Sequence, residues 1–282
     1  MDTDFYPDGR LAPCALAEGL FTGRTPGGLR VVVRRDARSP VAVCNVWVRA
    51  GSNREPESLR GWSHGIEHML FKGTHRRGER DFALEVAAAG GSTNAGTGYE
   101  TTNYHITVPA ARLPVAIDIL GDALLCSRFE EAALDAERQV LVHENHMYDD
   151  IPFGFGVTWR WGLELAFDRS PYRHPIGGQD ENLLTCPRER VMAYWRSAYH
   201  PTNMVAVVVG DVVPALLELI EEEGCDAVIM GSHGMGLVRS ALGSVSRGML
   251  EQAPVPVTFV KAPPEPEDTE EAADEAPAPE AD

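Results

Sequence analysis

Residues 61–74, GWSHGIEHMLFKGT, are the stretch from which the rest of the chain can be interpreted. His64 and His68 are four residues apart, so on a helix both imidazoles project from one face, one turn apart, as two ligands of a single metal ion must. Glu67 lies beside them in the sequence, where its carboxylate can reach a metal-bound water and take its proton. The pattern HxxEH therefore indicates a catalytic metal site carried by a helix.

A third ligand has to come from another part of the chain. Residues 137–150, ERQVLVHENHMYDD, offer Glu137 and Glu144. Their spacing is close to two helical turns, with a drift of about 20°, so both carboxylates share a face and the spacing does not choose between them. His143 and His146 leave that face by roughly 100° and 200°, so we expect them to be exposed or to support the site from outside it.

Hydrophobic periodicity predicts strands on either side of a group of helices. The predicted strands cover residues 29–35, 41–50, 101–108 and 204–209, and the predicted helices cover 58–71, 81–89, 111–126, 130–147, 155–167 and 187–198. The first two strands are separated by a short stretch that contains Ser39 and Pro40, so we expect them to pair. Strands first, helices next and a returning strand predict an α+β fold, with an antiparallel-rich sheet covered by helices.

The pattern changes after Gly210. A helix is predicted at 214–223, a strand at 227–230, a helix at 237–252 and a strand at 255–260, which is the alternation of a partial α/β module. Residues 262–282 contain nine acidic residues, five prolines and no basic residue, so we expect a disordered acidic tail. We therefore divide the chain into an N-terminal extension at 1–22, a main domain at 23–211, a fragment at 212–261 and the tail.

Charge and hydropathy exclude some classes of partner. The formal net charge of −17 disfavours binding to nucleic acid or to an anionic membrane surface. We find no apolar run of about eighteen residues, and the first eight residues contain three Asp and no basic residue, so neither a membrane span nor a secretory signal is expected. On that basis we expect a cytoplasmic protein.

Several motifs together resemble the first half-domain of the pitrilysin/insulinase family of metallopeptidases, whose zinc motif is the inverted form of the common one. They occur in the order and spacing of the family, over roughly residues 23–211. In chain order they read HGIEH, MLFKGT, GGSTNAGTGYETTNYHITVP, ERQVLVHE, DDIPFG, HPIGG and YHPTNMVAVVVGD.

This resemblance implies a role for each matching residue. Zinc would be bound by His64, His68 and Glu144, with Glu67 as general base and Glu137 as an acidic residue that assists from behind the ligands. These five residues all lie within the motifs HGIEH and ERQVLVHE.

The resemblance also implies a peptide site. Asn94 matches the position whose amide holds the substrate backbone, and the neighbouring strand would be an edge to which an extended peptide is added. Without the resemblance, Asn94 would be interpreted as a turn residue that follows a glycine pair.

The chain departs from the family pattern in two ways. Gly65 stands where the family usually has a bulky apolar residue, which should cost the helix about 1 kcal/mol and leave a gap behind the metal. Family members also carry, or receive from a partner subunit, a second half-domain that closes over the first. We recognise no such stretch after Asp211, so a partner subunit would have to supply it.

Residues 224–263 resemble the C-terminal part of a universal stress protein. In that family a glycine loop and the next helix N-terminus hold nucleotide phosphates. Gly231, Gly234, Gly243 and Ser244 match the residues of this loop. However, the spacing between Gly234 and Gly243 is one residue short, and the opening strands of the family have no counterpart, which argues against ATP binding by this fragment.

Two functions from different classes follow. The first is a zinc metallopeptidase that hydrolyses unstructured peptides, with Glu67 as general base and with a partner half-domain required for turnover. The alternative is a noncatalytic stress or scaffold protein with a structural or lost zinc site and a vestigial nucleotide-binding module. Bound zinc without peptidase activity would favour the alternative.

Overall fold

The computed structural model describes residues 11–13, 19–150, 155–215, 228–232, 248–249 and 251–261. A seven-stranded sheet has the order β1-β2-β3-β7-β4-β6-β5. Its strands are β1 Leu11–Pro13, β2 Leu20–Arg24, β3 Arg30–Arg35, β4 Val41–Val48, β5 Ser92–Thr97, β6 Thr102–Pro109 and β7 Met204–Gly210. All neighbouring pairs are antiparallel except β3 and β7, which are parallel.

The expected pairing of β3 with β4 is wrong. Strand β7 lies between them, parallel to β3 and antiparallel to β4. The short connection at Ser39 and Pro40 favours a hairpin, but the apolar β7, MVAVVVG, is placed in the middle of the sheet, where both of its edges form backbone hydrogen bonds. Long-range strand pairing thus overrides the local turn signal.

Helices cover one face of this sheet. They are α1 Trp62–Met69, α2 Glu79–Ala88, α3 Leu113–Cys126, α4 Glu131–Asp150, α5 Phe155–Ala166, α6 Asp180–Thr185 and α7 Arg188–Ala198. Alternate residues of β4 and β6 are buried on the covered face, where α3 packs on both strands and α1 packs on β5 and β6. The α+β class with an antiparallel-rich sheet is therefore confirmed, whereas β1, β2, β5 and α6 were not predicted.

No gap exists at Gly65, and this expectation is wrong. A Cβ built on Gly65 would lie 2.7 Å from the ring of Trp62 and 3.2 Å from a methyl group of Leu141. Both of these side chains are fully buried. The space that a bulky side chain would occupy is filled by neighbours, so glycine allows α1 to pack closely against α4.

Two strands of the C-terminal fragment pair in parallel, as α/β alternation predicts. They are β8 Val228–Ser232 and β9 Val257–Lys261. Gly248, in a helical segment before β9, lies against Val213 and the guanidinium of Arg35, and Arg35 also forms an ion pair with Asp211 at 3.1 Å. The fragment therefore contacts the end of the main sheet.

Other predictions for this region fall outside the described residues. They concern most of the helices expected at 214–223 and 237–252, and the whole of the acidic tail at 262–282. In the part of the chain that is described, no helix has the length and apolar character needed to span a membrane.

Candidate metal centre

Helix α1 carries His64 and His68, and its start is fixed by a buried carboxylate. Glu55 accepts hydrogen bonds from the backbone N–H groups of Gly61 and Ser63, at 2.8 and 2.5 Å. These amides would otherwise have no partner at the helix N-terminus. Burial raises the pKa of Glu55 to about 7, although both backbone hydrogen bonds oppose the shift.

The two histidines converge as one helical turn dictates. The Nε2 atoms of His64 and His68 are 3.1 Å apart. Two nitrogens bound to one tetrahedral zinc ion lie about 3.3 Å apart, given Zn–N distances of about 2.0–2.1 Å. The spacing of the imidazoles therefore fits a shared metal ion.

Helix α4 brings Glu144 to the same point. Its Oε1 lies 3.9 Å from Nε2 of His64, and its Oε2 lies 3.7 Å from Nε2 of His68. One potential ligand atom from each of the three residues lies within 4.8 Å of the other two. Two histidines and one glutamate with a side left open form a donor set suited to catalytic zinc.

Glu137 lies behind the histidines instead of among the potential ligand atoms. Its Oε1 is 2.8 Å from Nδ1 of His68, and its Oε2 is 2.8 Å from the ammonium of Lys72. The hydrogen bond from His68 and the bonds to Lys72 lower the pKa of Glu137 in spite of burial. A carboxylate only accepts, so Nδ1 of His68 donates, and in the neutral imidazole Nε2 carries the lone pair on the side of Glu144 and His64.

The protonation of the two histidines differs. Burial, with the nearby charge of His68, lowers the pKa of His64 to about 4, so its imidazole is neutral at pH 7. Burial also opposes the charged form of His68, but the hydrogen bond to Glu137 raises its pKa. Neutral imidazole is the form that binds zinc, so His64 is already in that form, whereas zinc has to displace any proton that Nε2 of His68 carries.

Glu67 points into the space beside these groups and is held by a threonine. Thr97 Oγ1 donates a hydrogen bond of 2.5 Å to Glu67 Oε2. Burial raises the pKa of Glu67, and the Thr97 hydrogen bond opposes that shift. Thr97 was not predicted as a site residue, although it belongs to the quoted motif GGSTNAGTGYETTNYHITVP and lies three residues after Asn94.

An open cavity of about 650 Å³ lies over the site. Its floor contains His64, Glu67, His68 and Glu144, and its other walls include Ala95, Thr97, Trp159, Leu163, Arg173 and Ile176. The cavity thus joins a cluster of potential ligands, a carboxylate base and the strand β5 at the edge of the sheet.

Asn94 is not brought into this cavity. Its side chain is exposed, and its Oδ1 accepts a hydrogen bond from the backbone N–H of Ala95. Side chains alternate along a strand, so Asn94 points away from the face that Ala95 and Thr97 share. His143 and His146 are exposed, as expected.

Two adjacent glycines, Gly177 and Gly178, lie against both helices that carry the potential ligands, α1 and α4. Gly178 has a φ of +72°, and a Cβ on it would lie 2.2 Å from the carbonyl oxygen of Arg60, just before α1. A Cβ on Gly177 would lie 1.9 Å from Oδ1 of Asn145 on α4, the residue after Glu144. At Gly178 only glycine permits this approach to the backbone that leads into α1, whereas at Gly177 the contact is with the end of the Asn145 side chain.

The residues expected to bind nucleotide are only partly described. Gly231 lies in β8. Gly234, Gly243 and Ser244 lie outside the described residues. The nucleotide loop therefore remains a prediction from the sequence.

Comparison with known proteins agrees with this geometry. Residues 30–153 match the family described as Insulinase (Peptidase family M16), and residues 179–261 match the Universal stress protein family. The second match begins inside the main domain, because residues 179–210 include α6, α7 and the central strand β7.

Several relatives bear the name of a zinc protease or a processing peptidase. An uncharacterized zinc protease of Streptomyces coelicolor is 35% identical over 188 residues, 66% of this chain and 40% of that protein. A probable mitochondrial-processing peptidase subunit beta of Arabidopsis thaliana is 34% identical over 191 residues, 66% of this chain and 35% of that protein. The chain thus spans half or less of the length of these relatives.

Solved structures show the same fold. A protease from Helicobacter pylori superposes with a TM-score of 0.67 at 21% identity, over 78% of this chain and 58% of that one. Pitrilysin superposes with a TM-score of 0.65 at 20% identity, over 76% of this chain and 24% of that one. The family match at residues 30–153 and the relatives at 34–35% identity, together with this shared fold, show that the chain carries a domain of the M16 insulinase family of peptidases, with a C-terminal stretch that matches the universal stress protein family.

Proposed function

We propose that this chain is the catalytic half of a zinc-dependent metalloendopeptidase that hydrolyses unstructured peptides. The observation that carries the proposal is the convergence of His64, His68 and Glu144 within 4.8 Å, beside Glu67 and at the floor of an open cavity. The relatives that are named zinc proteases support it. His64, His68 and Glu144 would hold the metal.

Zinc, when bound, supplies Lewis acidity that polarises a peptide carbonyl and makes water a better nucleophile at neutral pH. Glu67 accepts a proton from the attacking water and delivers it to the amine that leaves. Thr97 holds one oxygen of Glu67 and leaves the other available for the proton. Glu137 orients His68.

Substrate would bind as an added strand. β5 is the last strand of the sheet, and Ala95, Gly96 and Thr97 line the cavity, so the edge of β5 can pair with an extended peptide that passes over the site. Asn94 would contact the backbone of this peptide from the face of β5 opposite to the cavity. Folded substrates cannot present such a strand, which is why we propose unstructured ones.

A partner subunit would supply the second half of the substrate chamber. Relatives continue well beyond the part that this chain matches, as the shares of 40% and 35% of their lengths show. Positioning of the peptide and exclusion of water both depend on closure of such a chamber. We also propose that the main domain ends near Asp211.

Metal analysis and peptide cleavage test the function together. Purified protein should bind one zinc ion per chain and cleave a flexible peptide, alone or with a candidate partner half-domain. Glu67→Gln should keep zinc and lose cleavage. Equal cleavage by the wild type and Glu67→Gln would exclude Glu67 as the general base. Stoichiometric zinc with no cleavage under any condition would favour the noncatalytic alternative.

A further inference from the structure

Lys72 lies between two carboxylates behind the metal centre. Its ammonium is 2.8 Å from Oε2 of Glu137 and 2.8 Å from Oε1 of Glu79. The side chain of Glu137 is 7% exposed and that of Glu79 is 61% exposed. Lys72 therefore connects a buried carboxylate at the site to one at the surface.

The choice of lysine at this position is unusual for this chain. Of 25 basic residues, only Lys72 and Lys261 are lysine. Another buried acid, Asp122, is paired with an arginine, Arg77, at 2.8 Å. An ammonium is a compact point charge that can lie between two carboxylates, whereas a planar guanidinium needs a wider, forked site.

The contact with Lys72 fixes the orientation of Glu137. One carboxylate oxygen is held by the ammonium and the other accepts from Nδ1 of His68 at 2.8 Å, so the plane of the carboxylate is held at both ends. Without Lys72, Glu137 would keep a nearly buried charge with one partner fewer. The carboxylate would then turn toward solvent and release the imidazole.

We propose that Lys72 is a positioning residue that holds Glu137 against His68 and thereby sets the affinity of the site for zinc. This inference rests on the proposed function, because it assumes that His68 is a zinc ligand. Partners that orient a metal-bound histidine typically affect metal affinity by about 10- to 100-fold.

Zinc affinity, measured without any peptidase assay, tests the inference. The full chain, stripped of metal, is titrated with zinc in competition with a chromophoric chelator, for the wild type, Lys72→Met and Glu79→Gln. Lys72→Met has nearly the same length without the charge and should raise the Kd for zinc about tenfold. Glu79→Gln removes only the outer charge and should leave the Kd within about twofold.

Two further variants keep the test decisive. Lys72→Arg retains the charge and replaces Lys72→Met if that variant does not fold. We expect it to weaken zinc binding by about threefold or more, because the guanidinium does not fit between the two carboxylates. Glu137→Gln should weaken binding at least as much as Lys72→Met. Far-ultraviolet circular dichroism of each metal-free variant checks that it is folded.

The outcomes separate this inference from the proposed function. A Kd for Lys72→Met equal to that of the wild type would overturn the role of Lys72 and leave the metallopeptidase proposal standing. Equal weakening by Glu79→Gln and Lys72→Met would also overturn it, since the effect would then be one of general charge. A wild-type chain that binds no zinc would overturn the proposed function itself.

Discussion

The hydroxyl of Thr97 donates a hydrogen bond to Glu67 Oε2 across 2.5 Å and so joins the edge strand β5 to the helix α1. Thr97 is paired with Thr102 in the β5–β6 register, and the hydroxyl of Thr102 is anchored on the carbonyl oxygen of Ala50 at 2.7 Å. The orientation of the proposed base therefore depends on the strand to which substrate would be added.

Removal of this hydroxyl should slow catalysis without loss of metal. Thr97→Val keeps the shape and the strand preference of the residue but cannot donate, so we expect kcat to fall about tenfold with KM unchanged, as for a hydrogen bond to a charged group worth about 1.5 kcal/mol. Thr97→Ser should restore most of the rate. Steady-state kinetics at equal zinc content measure this, and an unchanged kcat in Thr97→Val would contradict it.

Gly178 should be intolerant of any side chain. Gly178→Ala introduces a Cβ at 2.2 Å from the carbonyl oxygen of Arg60, at a residue with φ of +72°, so we expect the free energy of unfolding to fall by about 3 kcal/mol. Denaturant unfolding measures the loss.

Gly121→Ala is the matched control for this substitution. Gly121 lies inside α3, and a Cβ on it meets nothing within 4 Å. Alanine is the better helix former, so this variant should gain up to about 0.8 kcal/mol. Similar losses in the two variants would show that close backbone contact at Gly178 is not the cause.

The pH dependence of stability should carry a contribution from Glu55. Burial raises its pKa from 4.5 to about 7, so between these values the folded chain holds a proton that the unfolded chain has lost. The stabilisation linked to this proton is complete below about pH 4.5 and decreases as the pH rises toward 7.

Glu55→Gln removes this contribution. We expect its free energy of unfolding, measured by urea titration at several pH values, to decline less steeply with rising pH than that of the wild type between pH 4.5 and 7. The difference in slope for one titrating group is at most about 1.4 kcal/mol per pH unit. If the free energies of unfolding of the wild type and of Glu55→Gln changed equally with pH, Glu55 would be ionised in the folded protein throughout this range.

Gly248 should couple the C-terminal fragment to the main domain. A Cβ on Gly248 would lie 2.7 Å from a methyl group of Val213, which is fully buried, so Gly248→Val should lower stability by about 1–3 kcal/mol. All five tryptophans precede Asp211, so their fluorescence reports the unfolding of the main domain alone.

A second substitution distinguishes this contact from a general effect of valine. Val213→Ala should create room for the new side chain, and the double variant should be more stable than the two separate losses predict. If the midpoint of unfolding monitored by tryptophan fluorescence were unchanged in Gly248→Val, the fragment would not stabilise the main domain.

Local features of the chain were predictable from the sequence. The period of the apolar residues predicted a helix at 187–198 and a strand at 101–108, and the structure has Arg188–Ala198 and Thr102–Pro109. Helix α4 likewise begins at Glu131, next to the predicted start, and extends three residues beyond the predicted end. Short-range periodicity fixes these elements because each buries one face.

Contacts between distant segments were less predictable. Pairing of β3 with β4 was expected from a short connection, yet β7, from about 160 residues later, lies between them. The gap expected at Gly65 is filled by Trp62 and Leu141. Thr97 was missed because nothing in the spacing of a strand residue indicates that it reaches a helix.

The sequence by itself determined that His64, Glu67 and His68 would lie close together, because one turn of a helix fixes the separation of its side chains whatever surrounds it. Spacing alone left Glu137 and Glu144 equivalent, since both lie on one face of α4. Only the tertiary structure placed Glu144 near both Nε2 atoms and Glu137 on Nδ1 of His68, since the packing of α4 across α1 decides which turn of α4 faces which side of the imidazole.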